Sequence, residues 1–413
     1  MKILFLTAHL PFPPASGGQR REFELVSRLG RKYDIHLCSL TTDLQNDEVN
    51  AKKLNGYCQS IRLFKTFDSH ETRLTWKYPL LMRNYYSDQA ISHISQMLGE
   101  QRFEIVHVEG FYLMQLIPCN SISNFHILLV EHNMEYKLCL QRMLLSTSVK
   151  EAYFYWQEYY NTLYWERIYW RRATKTITLT PEDADCIRRL EPNVNVELIP
   201  NGVDHDFAID HLNEARLTNN SSQHTCTWGA TKNDDIPSIL FVGNFLYYPN
   251  IDAILFFHKS IFPLILKEIR NARLFIVGNS PPPEIKALEA QNKGNVFVTG
   301  YVSSLYPFYK SAKVVVCPLR IGGGIKVKII EALRAGKATV STSVGAQGID
   351  INKRLLYVSD RISEFANNVI QLLSDPLLRY NHEANVLRSI KSMPKWDEVE
   401  EAYVRCYTGL SKN

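Results

Sequence analysis

Closely spaced cysteines are absent from the sequence. The eight cysteines stand singly, and no two of them form a C-x-x-C pair. Paired cysteines are the usual sign of a disulfide scaffold or a structural zinc site, so the sequence predicts neither. Unpaired thiols of this kind are typical of proteins that work in a reducing compartment.

Long hydrophobic runs are also absent. No stretch approaches the roughly 20 apolar residues that cross a membrane as a helix. The opening segment MKILFLTAHLPFPP is interrupted by Thr7 and His9, and no small-residue cleavage site follows it, which favours a buried strand over a signal peptide. We expect a cytoplasmic protein, with the inner face of the membrane as the alternative location.

Several functional classes lack their usual signals. The formal net charge of +5 over 413 residues is too small for the basic surface of a nucleic-acid-binding protein. The pattern G-x-x-x-x-G-K-[ST] is missing, and SGGQRREF has only adjacent glycines where a dinucleotide-binding protein would have G-x-G-x-x-G. The DAD triplet at 183–185 follows Thr-Pro, where a helix start favours acidic residues, so no metal site is predicted.

Short apolar segments alternate with helical patterns along most of the chain. The first series runs KILFLT, DIHLCSL, EIVHVEG, HILLVEH, TKTITLT and VELIPNG, and the second runs SILFVGN, ARLFIVGN, NVFVTG, KVVVCPL and ATVSTSV. Such alternation predicts parallel sheets with crossover helices. We therefore predict an α/β protein of two doubly wound domains, with a helix from about Arg20 to Leu29 after the first strand.

The predicted domain boundaries follow from a polar, aperiodic segment between the two series. Residues 1–202 form the N-terminal domain, 203–237 a linker or insertion, and 238–393 the C-terminal domain. Ligands of open α/β sheets bind beyond the carboxyl ends of the strands. Two such edges facing each other would form a cleft between the domains.

A run of three glycines is the clearest ligand-binding signal. Gly322, Gly323 and Gly324 precede IKVKIIEALRA, a predicted helix. Glycines let a backbone approach a ligand closely, and the unpaired N–H groups of a helix start attract anions. The run is therefore a candidate phosphate site, although a glycine-rich turn before a capped helix with a surface Lys–Glu pair is the plain alternative.

Charged residues around this run extend the same hypothesis. Arg320, Lys326 and Lys328 would add positive charge, and Glu331 shares a helix face with Lys328 because the two are three residues apart. A carboxylate one turn inside such a helix could accept hydrogen bonds from ribose hydroxyls. Together these residues predict a site for a nucleoside diphosphate.

The segment EAYFYWQEYYNTLYWERIYWRRA, residues 151–173, is unusually aromatic. Packing in the core is the default prediction, because five residues follow helical spacing: Tyr153, Trp156, Tyr160, Leu163 and Tyr164. The segment contains further aromatic residues and arginines that do not fit on one side of the helix. An acceptor platform or a membrane-interface patch for a lipid-linked glycan is therefore the alternative.

The second half resembles the donor-binding half of family 4 retaining glycosyltransferases, which have the GT-B fold of two Rossmann-like domains facing each other across a cleft. The resemblance rests on FVGNFLYYPNIDAILFF, LFIVGN, LIPNGVD and the segment from VFVTGYVSSLYPFYK through PLRIGGGIKVKIIEALRAGKATVSTSVGAQGI. The first half adds HLPFPPASGG and VEHN. The family's E-x7-E motif is incomplete, because Glu331 matches its second Glu whereas Gly323 stands at its first.

This resemblance implies roles for residues of both halves. Gly17 and Gly18 match the glycine pair near the donor phosphate, and His132 matches a His that contacts the donor sugar. Glu331 would hold the ribose, and Lys328 would complete a catalytic set with His132 and Glu331. Glycines 322–324, Arg320 and Lys326 would bind the diphosphate. The acceptor candidates are Glu109, Arg20 and Arg21.

The resemblance further implies transfer of a sugar from a nucleotide-sugar donor to a glycan, a lipid-linked or a small-molecule acceptor, without a metal or other cofactor. Surface-polysaccharide or glycoconjugate assembly is the expected setting, with peripheral membrane association as a further possibility. The family also implies a hinge at Asn201 and Gly202 and a terminal helix at about 394–413 that packs on the first domain. The alternatives are a catalytically degenerate GT-B subunit that supports a partner enzyme, and a sugar-nucleotide epimerase or hydrolase.

Overall fold

The computed structural model describes residues 1–14, 16–66, 77–118, 125–203, 236–292, 294–302, 304–349 and 354–411. The chain divides into two compact units. Unit 1 comprises Met1–Gly202 and Trp396–Asn413, and unit 2 comprises Val203–Lys395. Most of the predicted linker, residues 204–235, lies outside the described residues.

Unit 1 contains a parallel sheet. Among the described residues it has seven strands in the order β3-β2-β1-β4-β5-β6-β7. The strands are β1 Lys2–Thr7, β2 Asp34–Thr41, β3 Ser60–Lys65, β4 Ile105–Glu109, β5 His126–Glu131, β6 Lys175–Thr178 and β7 Val196–Leu198. Successive residues of β1 alternate between two cores, since Leu4 and Leu6 pack into one hydrophobic cluster and Ile3 and Phe5 into another. Both faces are therefore covered, as the continuous apolar runs predict.

The helices of unit 1 cover these two faces. They are α1 Gly17–Leu29, α2 Leu44–Ala51, α3 Leu80–Asn84, α4 Asp88–Glu100, α5 Glu135–Leu145, α6 Val149–Arg172 and α7 Pro181–Leu190. Helix α1 begins three residues before the predicted Arg20 because Ser16 caps it, with its Oγ accepting a hydrogen bond from the Gln19 N–H at 3.2 Å.

Unit 2 contains a second parallel sheet. Among the described residues it has six strands in the order β10-β9-β8-β11-β12-β13. They are β8 Ser238–Val242, β9 Arg273–Val277, β10 Val296–Gly300, β11 Val314–Cys317, β12 Thr339–Ser341 and β13 Tyr357–Val358. The helices are α8 Tyr248–Phe256, α9 Phe262–Glu268, α10 Pro283–Gln291, α11 Tyr306–Ser311, α12 Val327–Arg334, α13 Ile362–Ser374 and α14 Pro376–Ser389. The predicted α/β class with two doubly wound sheets is confirmed.

The last helix, α15 Trp396–Ser411, belongs to unit 1. Val399, Tyr403, Tyr407 and other residues of α15 lie in the same hydrophobic cluster as Ile3 and Phe5 of β1. Helix α15 and strand β1 therefore pack in the same hydrophobic core.

The prediction that this stripe of α6 lies in the core is wrong for its four aromatic residues, whereas Leu163 packs against the core. Tyr153, Trp156, Tyr160 and Tyr164 are each 46–61% exposed. The buried side of the helix instead includes three polar residues spaced four apart, followed by two aromatics: Glu158, Thr162, Glu166, Tyr169 and Trp170.

Hydrogen bonding explains why polar side chains lie on the inner side of α6. Glu158 accepts from the backbone N–H of Leu80 at 2.7 Å and from Arg83 at 3.1 Å. Glu166 accepts from the backbone N–H of Glu135 at 2.7 Å, at the start of α5. The buried carboxylates thereby satisfy backbone donors of neighbouring helices, and the aromatic residues are left on the outer side. Among the described residues, no helix has the length and apolar character to cross a membrane.

The junction between the body of unit 1 and α15 depends on a glycine. A Cβ atom added to Gly202 would lie 2.6 Å from both the Cα atom and a ring carbon of Trp396. Such contacts cannot relax by rotation of a flexible side chain, since one of the two atoms is backbone.

Gly202→Ala should lower the free energy of unfolding of unit 1 by about 1–3 kcal/mol, because the methyl group must displace Trp396. Urea denaturation followed by tryptophan fluorescence measures the change. Gly99→Ala is the matched control, since nothing lies within 4 Å of a Cβ at this position in α4. The control should be neutral or stabilising by up to about 1 kcal/mol, and equal behaviour of the two variants would contradict the close contact.

Candidate active site

Two groups of polar residues lie at the carboxyl ends of strands, one in each unit. In unit 2 the glycine run connects β11 to α12. Gly322 and Gly324 adopt φ values of +151° and +60°, which side chains with a Cβ rarely tolerate. The loop therefore needs glycine at both positions for conformational reasons alone.

The loop leads directly into the first turn of α12. The helix begins at Val327, two residues later than predicted, and its N-cap residue, Lys326, makes no side-chain capping hydrogen bond. A helix start without a side-chain cap leaves backbone N–H groups and the positive end of the helix dipole for an anion. Ile329, Ala332 and Leu333 are buried on the inner side of this helix.

The two lysines of this segment are held in defined positions. Lys326 Nζ donates to the carbonyl oxygens of Gly323 and Gly324 at 2.6 and 2.7 Å. Lys328 Nζ donates to Asn250 Oδ1 at 2.6 Å and lies 4.5 Å from the centre of the Phe241 ring. Burial lowers the pKa of Lys328. Both charges are thus fixed beside the loop.

Arg320 is paired with an acidic residue of α8. Its guanidinium group forms a two-point ion pair with Asp252, in which Nε donates to Oδ2 at 3.0 Å and Nη2 donates to Oδ1. It also stacks over Phe256, 4.5 Å from the ring centre. Asp252 already neutralises the charge of Arg320, and the role of Arg320 as a phosphate ligand stays a prediction.

Glu331 is oriented by a buried tyrosine. The Tyr309 hydroxyl donates to Glu331 Oε2 at 3.1 Å and also lies 3.3 Å from the Lys328 carbonyl oxygen. Burial and the charge of Glu331 raise the pKa of Tyr309, so the phenol stays protonated and acts as a donor. Sequence reasoning missed Tyr309, Asn250 and Asp252, because each contacts the β11–α12 segment from another part of the chain.

In unit 1 the functional candidates lie at the ends of the neighbouring strands β4 and β5. Glu109 ends β4, and His132 directly follows β5. Glu109 Oε2 and His132 Nε2 are 2.6 Å apart, and Glu109 Oε1 and His107 Nε2 are 2.7 Å apart. Glu109 and His107 are completely buried, whereas the His132 side chain is 21% exposed. One carboxylate therefore binds two imidazole rings.

Hydrogen bonding decides the charge of Glu109. Burial alone would raise its pKa, but the hydrogen bonds from His107 and His132 outweigh burial and hold the pKa of Glu109 well below its usual range. Burial lowers the pKa of His107, which is neutral at pH 7 for that reason. An ionised carboxylate can only accept hydrogen bonds, so both imidazoles donate to it.

Glu22 of α1 is the second acidic residue at this site. Its Oε2 atom is buried and has no hydrogen-bond partner in the described structure. Burial and the nearby charge of Glu109 raise the pKa of Glu22 well above its ordinary value, while Arg21 opposes the shift. Donor atoms of Glu22, Glu109 and His132 lie within 4.8 Å of one another, a spacing that a cation could also bridge.

Two acceptor candidates, Arg21 and Glu109, are buried. Arg21 is 1% exposed, and its guanidinium donates to the carbonyl oxygens of Ile199 and Pro200, to Asn201 Oδ1 and to the Tyr403 hydroxyl. Glu109 is fully buried with both oxygens hydrogen-bonded. Both side chains are hydrogen-bonded in the interior of unit 1, and their role toward an acceptor stays a prediction.

The remaining candidates of unit 1 lie closer to the surface. Gly17 and Gly18 form the first turn of α1, nothing lies within 4 Å of a Cβ at Gly18, and Arg20 is half-buried on the same helix. The carboxyl of Glu131, by contrast, faces the interior and accepts from Trp170 Nε1 at 2.8 Å. Burial is the main cause that raises the pKa of Glu131 to about 8, so this group is a neutral structural carboxyl at pH 7.

Comparison with known proteins agrees with the division of the chain into two units. Residues 15–207 match the profile of the family described as Glycosyltransferase Family 4, and residues 236–375 match that described as Glycosyl transferases group 1. The chain belongs to the family 4 glycosyltransferases. Its activity is accordingly the transfer of a sugar from a nucleotide donor, and the family predicted from the sequence is confirmed.

The relatives of this family 4 glycosyltransferase have low sequence identity to it, but the alignments extend over most of each chain. An uncharacterized 44.6 kDa protein in the cps region of Klebsiella pneumoniae is 21% identical over 387 residues, covering 89% of this chain and 90% of its own. Sucrose-phosphate synthase from Thermosynechococcus elongatus superposes with a TM-score of 0.69 at 17% identity, covering 99% of both chains. Anabaena Alr3699/HepE in complex with UDP and glucose gives 0.67 at 10% identity, again covering 99% of both. The structural matches confirm the GT-B fold.

Glu22→Gln should stabilise unit 1 increasingly as the pH rises. The folded state favours the neutral form of Glu22, so an ionisation penalty grows once the pH exceeds the unfolded-state pKa of about 4.3. The amide never ionises and avoids that penalty. Melting temperatures of wild type and variant, measured from roughly pH 5 to pH 9, should diverge in favour of the variant.

Glu109→Gln provides the contrast, because the pKa of Glu109 is lowered in the fold. Its contribution to stability is present above the unfolded-state pKa and is lost as the pH falls. This variant should be destabilised most at neutral pH and least in acid. Parallel melting curves for wild type and Glu22→Gln at every pH would contradict a neutral, buried Glu22.

Proposed function

We propose that this glycosyltransferase binds a nucleoside diphosphate sugar at the β11–α12 segment of unit 2 and transfers the sugar with retention of its anomeric configuration. The diphosphate lies against the backbone N–H groups of Gly322–Gly324 and the start of α12. Lys326 and Lys328 supply the adjacent positive charge, and Glu331 accepts hydrogen bonds from the ribose. His132 of unit 1 is assigned to contact with the transferred sugar.

One observation carries this proposal. A glycine loop with positive φ angles, a helix start without a side-chain cap and a carboxylate oriented by a buried tyrosine occur within ten residues of one another. The first two features suit a diphosphate and the third suits vicinal hydroxyls. A nucleotide contains both a diphosphate and vicinal hydroxyls.

The arrangement favours stabilisation of the leaving group as the main source of catalysis. When the bond between the sugar carbon and the diphosphate oxygen breaks, negative charge develops on the diphosphate. Amides and ammonium groups that are already in position stabilise that charge without reorganisation. The departing phosphate oxygen takes the proton of the acceptor hydroxyl as the new glycosidic bond forms, so the proton is accounted for without a protein base.

The acceptor is proposed to be a growing surface glycan or glycoconjugate, including a lipid-linked one. The full-length relative in a cps region supports this setting. The outer side of the α5–α6 hairpin supports a lipid-linked acceptor, since it exposes large apolar side chains. We call this surface the hairpin face; its members are Leu144, Leu145, Val149, Tyr153, Trp156, Tyr160 and Tyr164.

The chemistry of the hairpin face suits the interface of an anionic membrane. Tyrosine and tryptophan combine an apolar ring with a polar group, and they concentrate where hydrocarbon meets water. Lys150 is the one charged residue among the exposed side chains from residue 144 to residue 164, and its sign suits acidic lipid headgroups. We propose that the hairpin face lies on the lipid surface from which the acceptor is drawn.

Glu331→Gln should abolish most of the stabilisation that a nucleotide sugar gives to the wild type. Thermal shift with UDP-, GDP-, dTDP- and ADP-sugars measures this, and one nucleotide series should raise the melting temperature of the wild type. The loss in the variant should correspond to at least about tenfold weaker binding, since a hydrogen bond between ribose and a charged group contributes roughly 1.5–3 kcal/mol.

Glu289→Gln is the matched control for that experiment, because Glu289 is exposed on α10. It should keep the full thermal shift. An unchanged shift in Glu331→Gln would contradict the ribose assignment, and no shift of the wild type with any donor would contradict the donor site itself.

Replacing Leu144 and Val149 together by Asp should reduce membrane binding at least about tenfold, because burial of each side chain contributes roughly 1.5–3 kcal/mol. Flotation with vesicles that contain anionic phospholipid measures the bound fraction. Leu377→Asp is the control, since Leu377 is 70% exposed in unit 2. Absence of wild-type protein from the floating fraction would contradict membrane docking, and a dimer abolished by the double variant would assign the hairpin face to a second copy.

A further inference from the structure

A chain of four buried or half-buried side chains connects α15 to His132. The Tyr407 hydroxyl lies 2.5 Å from His107 Nδ1, His107 Nε2 lies 2.7 Å from Glu109 Oε1, and Glu109 Oε2 lies 2.6 Å from His132 Nε2. Tyr407, His107 and Glu109 are completely buried. His132 and Tyr407, the two ends of this hydrogen-bonded series, are 275 residues apart in the sequence.

The protons in this chain can be assigned from the chemistry of each member. Glu109 is ionised and can only accept, so His107 Nε2 and His132 Nε2 both carry protons. His107 is neutral, because burial lowers its pKa. Its Nδ1 atom therefore has a lone pair and accepts from Tyr407, whose own pKa is raised by burial so that the hydroxyl keeps its proton.

This assignment determines which atom His132 offers to a ligand. With Nε2–H directed at Glu109, the other ring nitrogen, Nδ1, is an acceptor whenever the ring is neutral. The described residues make no hydrogen bond to that atom, and the ring is 21% exposed. A neutral His132 can thus accept a hydrogen bond from a hydroxyl group but cannot donate one to a phosphate oxygen.

We propose that Glu109, His107 and Tyr407 are positioning residues that hold His132 in its Nε2–H tautomer, so that Nδ1 receives a hydroxyl of the bound sugar. The assignment of that hydroxyl rests on the proposed function, whereas the tautomer does not. Orientation of a functional histidine by a buried carboxylate is effective because the carboxylate fixes both ring rotation and proton position. Here Tyr407 of α15 also helps to fix the proton position, through its hydrogen bond to His107 Nδ1.

Nitrogen NMR of the full chain labelled with 15N-histidine tests the tautomers directly. The signals of His132 and His107 are identified by their loss in His132→Gln and His107→Gln. In the wild type above neutral pH, both rings should carry the proton on Nε2. In Glu109→Gln, the amide oxygen can accept from one ring but the amide NH2 group must donate to the other, so one ring should change tautomer.

Activity supplies the second readout. Glu109→Gln should lower kcat about 10- to 100-fold with little change in KM for the donor. Tyr407→Phe should lower kcat in the same direction by a smaller factor, and the His107 Nδ1 signal should move as it loses its donor. Tyr403→Phe is the matched control one turn away on α15; its hydroxyl accepts from Arg21 and lies outside the chain, so both tautomers and kcat should stay as in the wild type.

The outcomes separate this proposal from the proposed function. A wild-type His132 with its proton on Nδ1 would overturn the proposal, as would unchanged tautomers of both rings in a folded Glu109→Gln. If that variant does not fold, an unmoved His107 signal in Tyr407→Phe overturns it instead. Expected tautomers together with absence of any donor binding would contradict the proposed function and leave the positioning chain intact.

Discussion

The organisation of unit 1 depends on one buried charge, the Glu109 carboxylate at the end of β4. A carboxylate with no exposed surface is costly unless its oxygens are fully hydrogen-bonded. His107 supplies one donor from the same strand, and His132 supplies the other from the end of β5. Because both imidazoles must reach the same carboxylate, the ends of β4 and β5 are held together at Glu109. Tyr407 of α15 is connected to this site through its hydrogen bond with His107. His132, the residue proposed to contact the sugar, is thus held in place by buried groups.

Arg21 of α1 makes a comparable connection through Tyr403, which lies one turn away from Tyr407 on α15. Its guanidinium binds the backbone at Ile199 and Pro200 and the hydroxyl of Tyr403, which joins the start of α1 to the last residues before the boundary between units and to α15. In unit 2 the same principle applies to the cations, since Lys326 and Lys328 are hydrogen-bonded to the loop and to Asn250. Groups fixed in this way stabilise a developing charge without moving, which is the condition for efficient leaving-group stabilisation.

The sequence predicted the parts of this molecule that depend on local pattern. Apolar runs separated by helical stretches identified the parallel strands of both units, and the glycine run identified the loop before α12, since both signals act over a few residues. The family resemblance added His132 and Glu331. The order of the strands and the two-sided cores then follow from general rules for parallel sheets.

The errors arose where distant residues decide the outcome. The aromatic stripe of α6 has the helical spacing of a core face, yet Glu158 and Glu166 occupy the inner side because backbone N–H groups of other helices need acceptors there. The sequence also did not predict the pairing of Arg320 with Asp252 or of Arg21 with Tyr403, because these partners lie 68 and 382 residues away. No periodicity within a short window contains such pairings.

A crystal structure with a bound nucleoside diphosphate tests the central claim most directly. The account predicts density for the diphosphate against Gly322–Gly324 and the first turn of α12, with the ribose hydroxyls within hydrogen-bonding distance of Glu331. A nucleotide bound elsewhere on unit 2, or one whose ribose makes no contact with Glu331, would contradict the donor site on which the proposed chemistry depends.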